Sequence, residues 1–238
     1  MGVVDFGGAS RSVWPQQRSI SRRQFGVVTA GCAAATWVAP SVVGLDRVAA
    51  ATPSGFAAFE YTEDFQGAIG NADASWSTVR TAVAPSDPAR RFLGRFARAN
   101  SVTLTAALPA HTTVSISFDL YILGSFDGSH VGGFNDRIRV QVDGATEFNE
   151  SFAQAWLQSA GRLQTFGPNA TNPAGTGAVE TNTLGFTWRG NPADTVYRIE
   201  LLDIPHTAST VQFTIRGLNL QGRNDESWGI DNFSLVAC

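Results

Sequence analysis

The sequence predicts an all-β fold, a two-sheet antiparallel sandwich, over residues 52–238 of the 238-residue chain. Three observations predict it. Apolar and polar residues alternate along many short segments, Gly and Pro residues mark the turns between them, and no long segment keeps a helical period. Roughly ten short strands joined in this way are typical of two packed antiparallel sheets around one core.

Six segments show the alternation clearly, because every second residue is apolar, as in a strand with one buried face. They are 101–105, 113–122, 137–142, 196–201, 210–215 and 230–235. Weaker strands are predicted at 59–61, 77–82, 92–96, 147–152 and 184–188. Residues 152–163 are the one stretch with room for one or two helical turns.

Residues 1–51 predict a twin-arginine signal peptide, removed after Ala51. Arg22 and Arg23 are followed by one spacer and Phe25, and a weakly apolar run extends to about residue 45. A membrane anchor is the first alternative, although Pro40 interrupts the run. Lipidation at Cys32 is the second, although the apolar run continues beyond it. This signal places residues 52–238 outside the cytoplasm, as an extracellular, cell-surface or periplasmic domain without a transmembrane segment.

The predicted mature domain is acidic. All basic residues are Arg, and residues 52–238 hold 12 Arg against 18 Asp and Glu, a net charge of −6. Nucleic-acid binding depends largely on basic groups that neutralise phosphates. The composition therefore excludes nucleic acid as an expected partner.

Several motifs of the mature domain resemble a recurring secreted bacterial β-sandwich module of the concanavalin-like or jelly-roll type. They are FLGRF at 92–96, LPAHTTV at 108–114, FDLYI at 118–122, SFDG at 125–128, TNTLGF at 181–186 and DESWGIDN at 225–232. The last strand is also similar to the end of MAM domains and of many carbohydrate-binding jelly rolls. In several of those, an Asp in that strand helps to bind a structural calcium.

The loop 124–136 is the candidate ligand site, because polar, Gly-rich loops on a rigid scaffold commonly carry function. Phe126 or Phe134 is expected to stack on a sugar face, and Asp127, Asn135 and Asp136 to bind hydroxyls or a second metal. The alternative is a connector whose aromatic rings pack on the sheet edge. Trp156, outside the loop, is the third candidate for an exposed sugar-binding ring.

A structural Ca²⁺ is expected between the first and last strands, which are often neighbours in a jelly roll. Glu60, Glu63 and Asp64 lie on or after the first strand, and Asp231 lies on the last. Calcium takes six to eight oxygen ligands, mostly carboxylates and carbonyls. The alternative is that Asp231 caps a turn or pairs with Arg while the Glu side chains are solvated.

No catalytic residues are predicted. Asp225 and Glu226 are adjacent, so on a strand they face opposite sides and cannot flank one glycosidic bond. The nearest match to a glucanase strand, at 200–203, lacks its second Glu. The three His residues, at 111, 130 and 206, are scattered and are expected to form hydrogen bonds in turns.

The sequence thus indicates an exported, non-catalytic binding module for extracellular polysaccharide or a cell-surface glycan. A structural or adhesive surface protein without a small ligand is the first alternative, and a jelly-roll glycan hydrolase the second. Once the signal peptide is removed, Cys238 is the single cysteine and offers a disulfide-linked dimer. A thiol at a strand end that forms no bond between chains is the alternative.

Overall fold

A computed structural model describes residues 59–129 and 135–238. The predicted signal peptide at 1–51, with Cys32 and the cleavage position, lies outside the described residues. So do His130 and Phe134. The predicted division of the chain at residue 51 therefore stays a prediction.

Sixteen strands form within the described residues. The first eight are β1 (Phe59–Glu63), β2 (Ala74–Trp76), β3 (Thr81–Ala84), β4 (Asp87–Phe96), β5 (Ser101–Ala107), β6 (Thr113–Gly124), β7 (Arg137–Val142) and β8 (Ala145–Ser151). The others are β9 (Leu163–Gln164), β10 (Asn172–Pro173), β11 (Glu180–Thr181), β12 (Thr187–Trp188), β13 (Asn191–Pro192), β14 (Asp194–Pro205), β15 (Thr210–Leu218) and β16 (Glu226–Ala237). A short 3₁₀ helix spans Ala155–Ala160, within the stretch predicted to hold helical turns.

The strands form two antiparallel sheets and two short hairpins. The larger sheet has the order β11–β14–β6–β16–β4–β3, and β1 also pairs with β16. The smaller sheet has the order β2–β5–β15–β7–β8. The hairpins are β9–β10 and β12–β13. The central strands β6 and β16 run antiparallel, with Gly124 opposite Glu226 at one end and Val114 opposite Ala237 at the other.

The main core lies between the two sheets, where period-two alternation directs apolar side chains inward. Phe118 of β6 meets Phe213 of β15 edge to face, with ring centroids 5.6 Å apart. Phe233 of β16 stacks in the same layer, 5.2 Å from Phe213. Trp228 is fully buried in this core as well.

A second apolar cluster covers part of the outer face of the larger sheet. Tyr121 and Leu123 of β6 pack there with Phe92, Leu184 and Val196. The first half of β6 therefore alternates between buried and half-buried residues, whereas its last five residues are all buried. This second cluster extends to the end of β6 from which the candidate ligand loop 124–136 continues.

The predicted two-sheet jelly-roll sandwich is confirmed. The six clear segments all lie in strands, and the weaker ones at 59–61 and 92–96 lie in β1 and β4. Two weaker predictions are wrong in part: residues 77–80 connect β2 to β3, and residues 184–186 precede β12. Neither connecting segment shows regular alternation.

No helix among the described residues has the length and apolar character needed to cross a bilayer.

At the other end of β6 from Gly124, the Cys238 carbonyl accepts hydrogen bonds from the backbone N–H groups of Thr112 and Thr113. The described residues contain no free cysteine. The predicted disulfide-linked dimer is therefore not supported, because Cys238 does not offer the free thiol that it needs.

Candidate functional site

A cleft of about 280 Å³ lies at one end of the larger sheet. Ser125 and Asp127 reach it just after β6, and Asp225 reaches it just before β16. Trp156 comes from the 3₁₀ helix and Trp188 from the β12–β13 hairpin. The cleft therefore gathers segments that are far apart in the chain, because β6 and β16 are neighbours in the sheet.

Two glycines bring the segment after β6 close to its neighbours. Gly124 has φ +97° and Gly128 has φ +73°, both in the left-handed region that favours glycine. A Cβ at Gly124 would overlap the carbonyl oxygen of Asp225, and one at Gly128 would overlap that of Leu163. Their lack of a side chain lets the segment pack directly against the start of β16 and against β9.

Two tryptophans form the apolar part of the cleft. The rings of Trp156 and Trp188 stack with centroids 5.7 Å apart and an interplanar angle of 28°. Both side chains are half-buried. The exposed Arg189 places its guanidinium carbon 4.3 Å from the centre of the Trp188 ring, a cation–π contact.

Hydrogen bonds fix the polar groups of the cleft. One oxygen of Asp225, Oδ1, accepts from Trp188 Nε1 and from Ser125 Oγ, each at 2.6 Å. Asp127 pairs with Arg162 at 3.3 Å between Oδ1 and Nη2. Two donors of the cleft residues, Trp156 Nε1 and Arg162 Nη1, are buried without a hydrogen-bond partner among the described residues.

A cluster of three carboxylates adjoins the cleft and shares Asp127 with it. Asp127, Asp136 and Glu226 each place one carboxylate oxygen within 4.8 Å of the others. Asp136 Oδ2 accepts from the backbone N–H of Asp127 at 2.5 Å, and Glu226 Oε2 accepts from that of Gln221 at 2.6 Å. Glu226 Oε1 is buried and has no partner among the described residues.

Burial raises the pKa of both Asp136 and Glu226 above the ordinary range of a carboxyl group. The negative charge of Asp136 raises the pKa of Glu226 further. Both side chains are almost fully buried, at 1% and 0% exposure. Two ionised carboxylates at this separation, shielded from water, are mutually unfavourable unless a positive charge joins them.

The structure places the residues of the predicted ligand site in different surroundings. Asp127 lines the cleft, and Asp136 belongs to the carboxylate cluster. Asn135 is turned elsewhere, because its Oδ1 accepts from Arg137 Nε at 2.9 Å. The prediction that Phe126 stacks on a sugar is wrong, because its ring has no exposed surface and belongs to the main core. Phe134 lies outside the described residues.

The predicted convergence of Glu60, Glu63, Asp64 and Asp231 is not found in the structure. Strands β1 and β16 are indeed neighbours. However, Glu60 and Asp64 are exposed, and Glu63 accepts from Tyr61 Oη and two backbone N–H groups.

Asp231 accepts instead from Tyr121 Oη at 2.8 Å, within the cluster on the outer face of the larger sheet. Tyr61, the partner of Glu63, belongs to the inner core. The two buried carboxylates therefore face opposite sides of one sheet, and they cannot share an ion.

Sequence reasoning missed Trp188, Arg162 and the pairing of Glu226 with Asp136. Asp225 precedes β16 and lines the cleft, whereas Glu226 begins β16 and is fully buried. Trp188 follows a Gly-Phe-Thr segment on a two-residue strand, without an alternating pattern around it. The Trp-Arg-Gly sequence at 188–190, typical of an exposed turn, is the one signal that marks this residue.

No family model matches the chain, and no curated protein matches it. Solved structures do resemble it. Dimeric latent PorU from Porphyromonas gingivalis is 11% identical, with 72% of this chain aligned to 13% of PorU and a TM-score of 0.39. The CBM36-1 domain of a multidomain xylanase from the hindgut metagenome of Trinervitermes trinervoides is 9% identical, with 76% and 98% covered and a TM-score of 0.36.

A CBM61 module in complex with β-1,4-galactotriose is 14% identical, with 76% of this chain and 88% of the module covered and a TM-score of 0.30. This chain thus spans a small part of PorU but nearly the whole of the two carbohydrate-binding modules. At these identities and TM-scores the likeness concerns the β-sandwich architecture and nothing beyond it.

Proposed function

We propose that this chain is an exported binding module that holds an extracellular glycan in the cleft of Trp156 and Trp188 without cleaving it. One observation carries the proposal: two stacked, half-buried indole rings stand beside carboxylate, guanidinium and hydroxyl groups in one cleft. Sugars present apolar C–H faces and a rim of hydroxyls, so they suit a site that combines aromatic surface with a few fixed polar groups.

The size of the cleft suits a short part of a glycan. Its volume of about 280 Å³ is near the lower limit of small-molecule sites, roughly 300–1,000 Å³. Arg189 and Gln221 are exposed at its rim. A longer polysaccharide can therefore extend past the rim while one segment is held against the indoles.

The carboxylates of the cleft support binding rather than hydrolysis. Glycoside hydrolysis requires one carboxyl group that stays protonated and a second that acts as nucleophile or base. Asp225 is held by two hydrogen-bond donors and Asp127 by an ion pair with Arg162. Glu226, whose pKa is raised, is fully buried and does not line the cleft.

The test is binding of the purified full chain to a panel of polysaccharides and glycans, in calcium and in chelator. We expect Trp188→Ala and Trp156→Ala to weaken the binding of any selected glycan at least about tenfold, roughly 1.4 kcal/mol. Phe148→Ala is the matched control, because Phe148 is a half-buried aromatic residue of β8 outside the cleft. Its affinity should stay within about twofold of the wild type.

Three results would contradict the proposal. Glycan affinity that is unchanged in both tryptophan variants would place the site elsewhere. Release of reducing sugar from the bound glycan would show catalysis. A folded chain that binds no glycan in either buffer would favour a structural or adhesive surface protein.

A further inference from the structure

We propose that Asp127, Asp136 and Glu226 together bind a divalent cation, and that Ca²⁺ is the ion that fits them. Three segments supply the ligands: Asp127 follows β6, Asp136 precedes β7, and Glu226 begins β16. Their nearest oxygens lie within 4.8 Å of one another, and ligand oxygens lie about 2.3–2.6 Å from a calcium ion. Oxygens at this separation can therefore contact one ion placed between them.

An unpaired atom points independently to a ligand. Glu226 has no exposed surface, and its Oε1 has no hydrogen-bond partner among the described residues. Its other oxygen, Oε2, is already bound by the backbone N–H of Gln221. Buried polar atoms in folded proteins nearly always have a partner, since leaving one unpaired is costly, most of all for a charged group. A cation beside Oε1 removes that cost.

The charges of the cluster also favour a cation. Arg162 balances Asp127 through their ion pair. Asp136 and Glu226 have no Arg partner among the ion pairs of the described residues. A divalent ion supplies the two positive charges that these two carboxylates lack, in a place too buried for screening by water or salt.

The donor set selects the type of ion. All three ligands are carboxylates, and hard ions such as Ca²⁺ and Mg²⁺ prefer oxygen, whereas zinc and copper favour nitrogen or sulfur. Mg²⁺ demands a near-regular octahedron of close oxygens, whereas Ca²⁺ accepts irregular shells of six to eight. Carboxylates that are already fixed by backbone N–H groups suit the more tolerant ion.

The experiment is calorimetric titration of the chelator-treated full chain with CaCl₂ and, separately, with MgCl₂. We expect one Ca²⁺ per chain, with a dissociation constant no weaker than the ~10⁻⁴–10⁻³ M typical of extracellular modules, and weaker Mg²⁺ binding. Glu226→Gln should weaken Ca²⁺ binding at least tenfold. In chelator the same variant should be at least as stable as the wild type, because an uncharged amide replaces a carboxylate with an unpaired oxygen.

Asp231→Asn is the matched control, because Asp231 is a buried carboxylate of the same strand that already has its own partners. It should bind Ca²⁺ like the wild type. If Glu226→Gln does not fold, Asp136→Asn replaces it, with Tb³⁺ luminescence as a second readout.

Absence of saturable Ca²⁺ binding to the wild type would overturn the proposal, as would wild-type affinity in both cluster variants. Loss of binding in Asp231→Asn alone would show that the ion binds on the other face of the sheet. Each titration is made without glycan, so its result does not depend on the function proposed above.

Discussion

A cluster of polar side chains lies at each end of β6, and the two clusters differ in how fully their atoms are hydrogen-bonded. Before the strand begins, His111, His206 and Asp143 bond to one another. After it ends, Asp127, Asp136 and Glu226 meet without satisfying all their oxygens. The histidine group lies on connections next to β6, β7 and β14, whereas the carboxylates lie next to β6 and β7 and at the start of β16.

At the histidine end, the hydrogen bonds form a closed chain. His111 Nδ1 contacts the Pro109 carbonyl at 2.7 Å, and His111 Nε2 contacts His206 Nδ1 at 2.5 Å. His206 Nε2 contacts Asp143 Oδ2 at 2.8 Å, and Asp143 Oδ1 accepts from the backbone N–H of Gln212 at 2.7 Å. Every ring nitrogen of these two histidines has a partner within the protein.

At the cleft end, the polar atoms are left open. Three of the five buried side-chain atoms without a partner among the described residues belong to it: Trp156 Nε1, Arg162 Nη1 and Glu226 Oε1. A network in which every polar atom is hydrogen-bonded mainly stabilises the fold, whereas polar atoms without a partner can still bind a ligand. We therefore expect substitutions at the histidine end to change mainly stability, and substitutions at the cleft end to change the ligand binding proposed above.

The largest expected effect concerns the backbone that shapes the cleft end. Gly124→Ala should lower the free energy of unfolding by about 4 kcal/mol, because the new Cβ overlaps the Asp225 carbonyl at a positive φ. Gly144→Ala is the control. Gly144 has φ +84°, but a Cβ added there would meet no atom within 4 Å, so this variant should lose only about 1 kcal/mol. Equal losses in denaturant titrations would show that Gly124 is required for its dihedral angles alone.

The next effect concerns Asp231, a buried carboxylate between the two ends that has partners on both oxygens. Burial raises its pKa from 3.8 to about 6, so the folded state holds more protons than the unfolded state between those pH values. Its contribution to stability therefore falls by about 3 kcal/mol as pH rises from about 4 to above 6. We expect the wild type to lose about 3 kcal/mol more than Asp231→Asn over this range, because both proteins keep the raised pKa values of Asp136 and Glu226. Denaturant titration in chelator measures the difference. Parallel curves for the two proteins would contradict it.

A smaller effect is expected at the histidine end. His206→Ala should destabilise the fold by about 2 kcal/mol, because it leaves His111 Nε2 buried and unpaired. Asp143→Asn should cost less than about 1 kcal/mol, since its side chain is 42% exposed and water can replace the contact. Neither variant should change glycan or Ca²⁺ affinity by more than about twofold. A larger change in affinity would show that the two ends are coupled, which contradicts their expected separation.

Much of the fold was predictable because a two-sheet sandwich repeats one local rule. Wherever a strand has one face on the core, as in the first half of β6, alternate residues are apolar and the strand is visible in the sequence. The rule fails in the segments around Val79 and Gly185, which connect strands without alternation.

The site was predictable only in part, because it depends on which strands are neighbours. The polar and Gly-rich composition of the loop after β6 marks it as a candidate, and Asp127 and Asp136 within it lie in the carboxylate cluster. Phe126 was mistaken for a surface residue because it follows a strand whose end is buried on both faces. Asp136 accepts from the backbone N–H of Asp127 just after β6, and the pairing of β6 with β16 brings Glu226 to the same place, which no local pattern reveals.

Asp127 is a ligand of the proposed cation and also the partner of Arg162 in the cleft. Under the two proposals, the occupancies of the two sites are thermodynamically linked. Any factor by which Ca²⁺ strengthens glycan binding is the factor by which the glycan strengthens Ca²⁺ binding. If that factor exceeds one, attachment to the glycan would depend on the calcium concentration of the surrounding medium through this one aspartate.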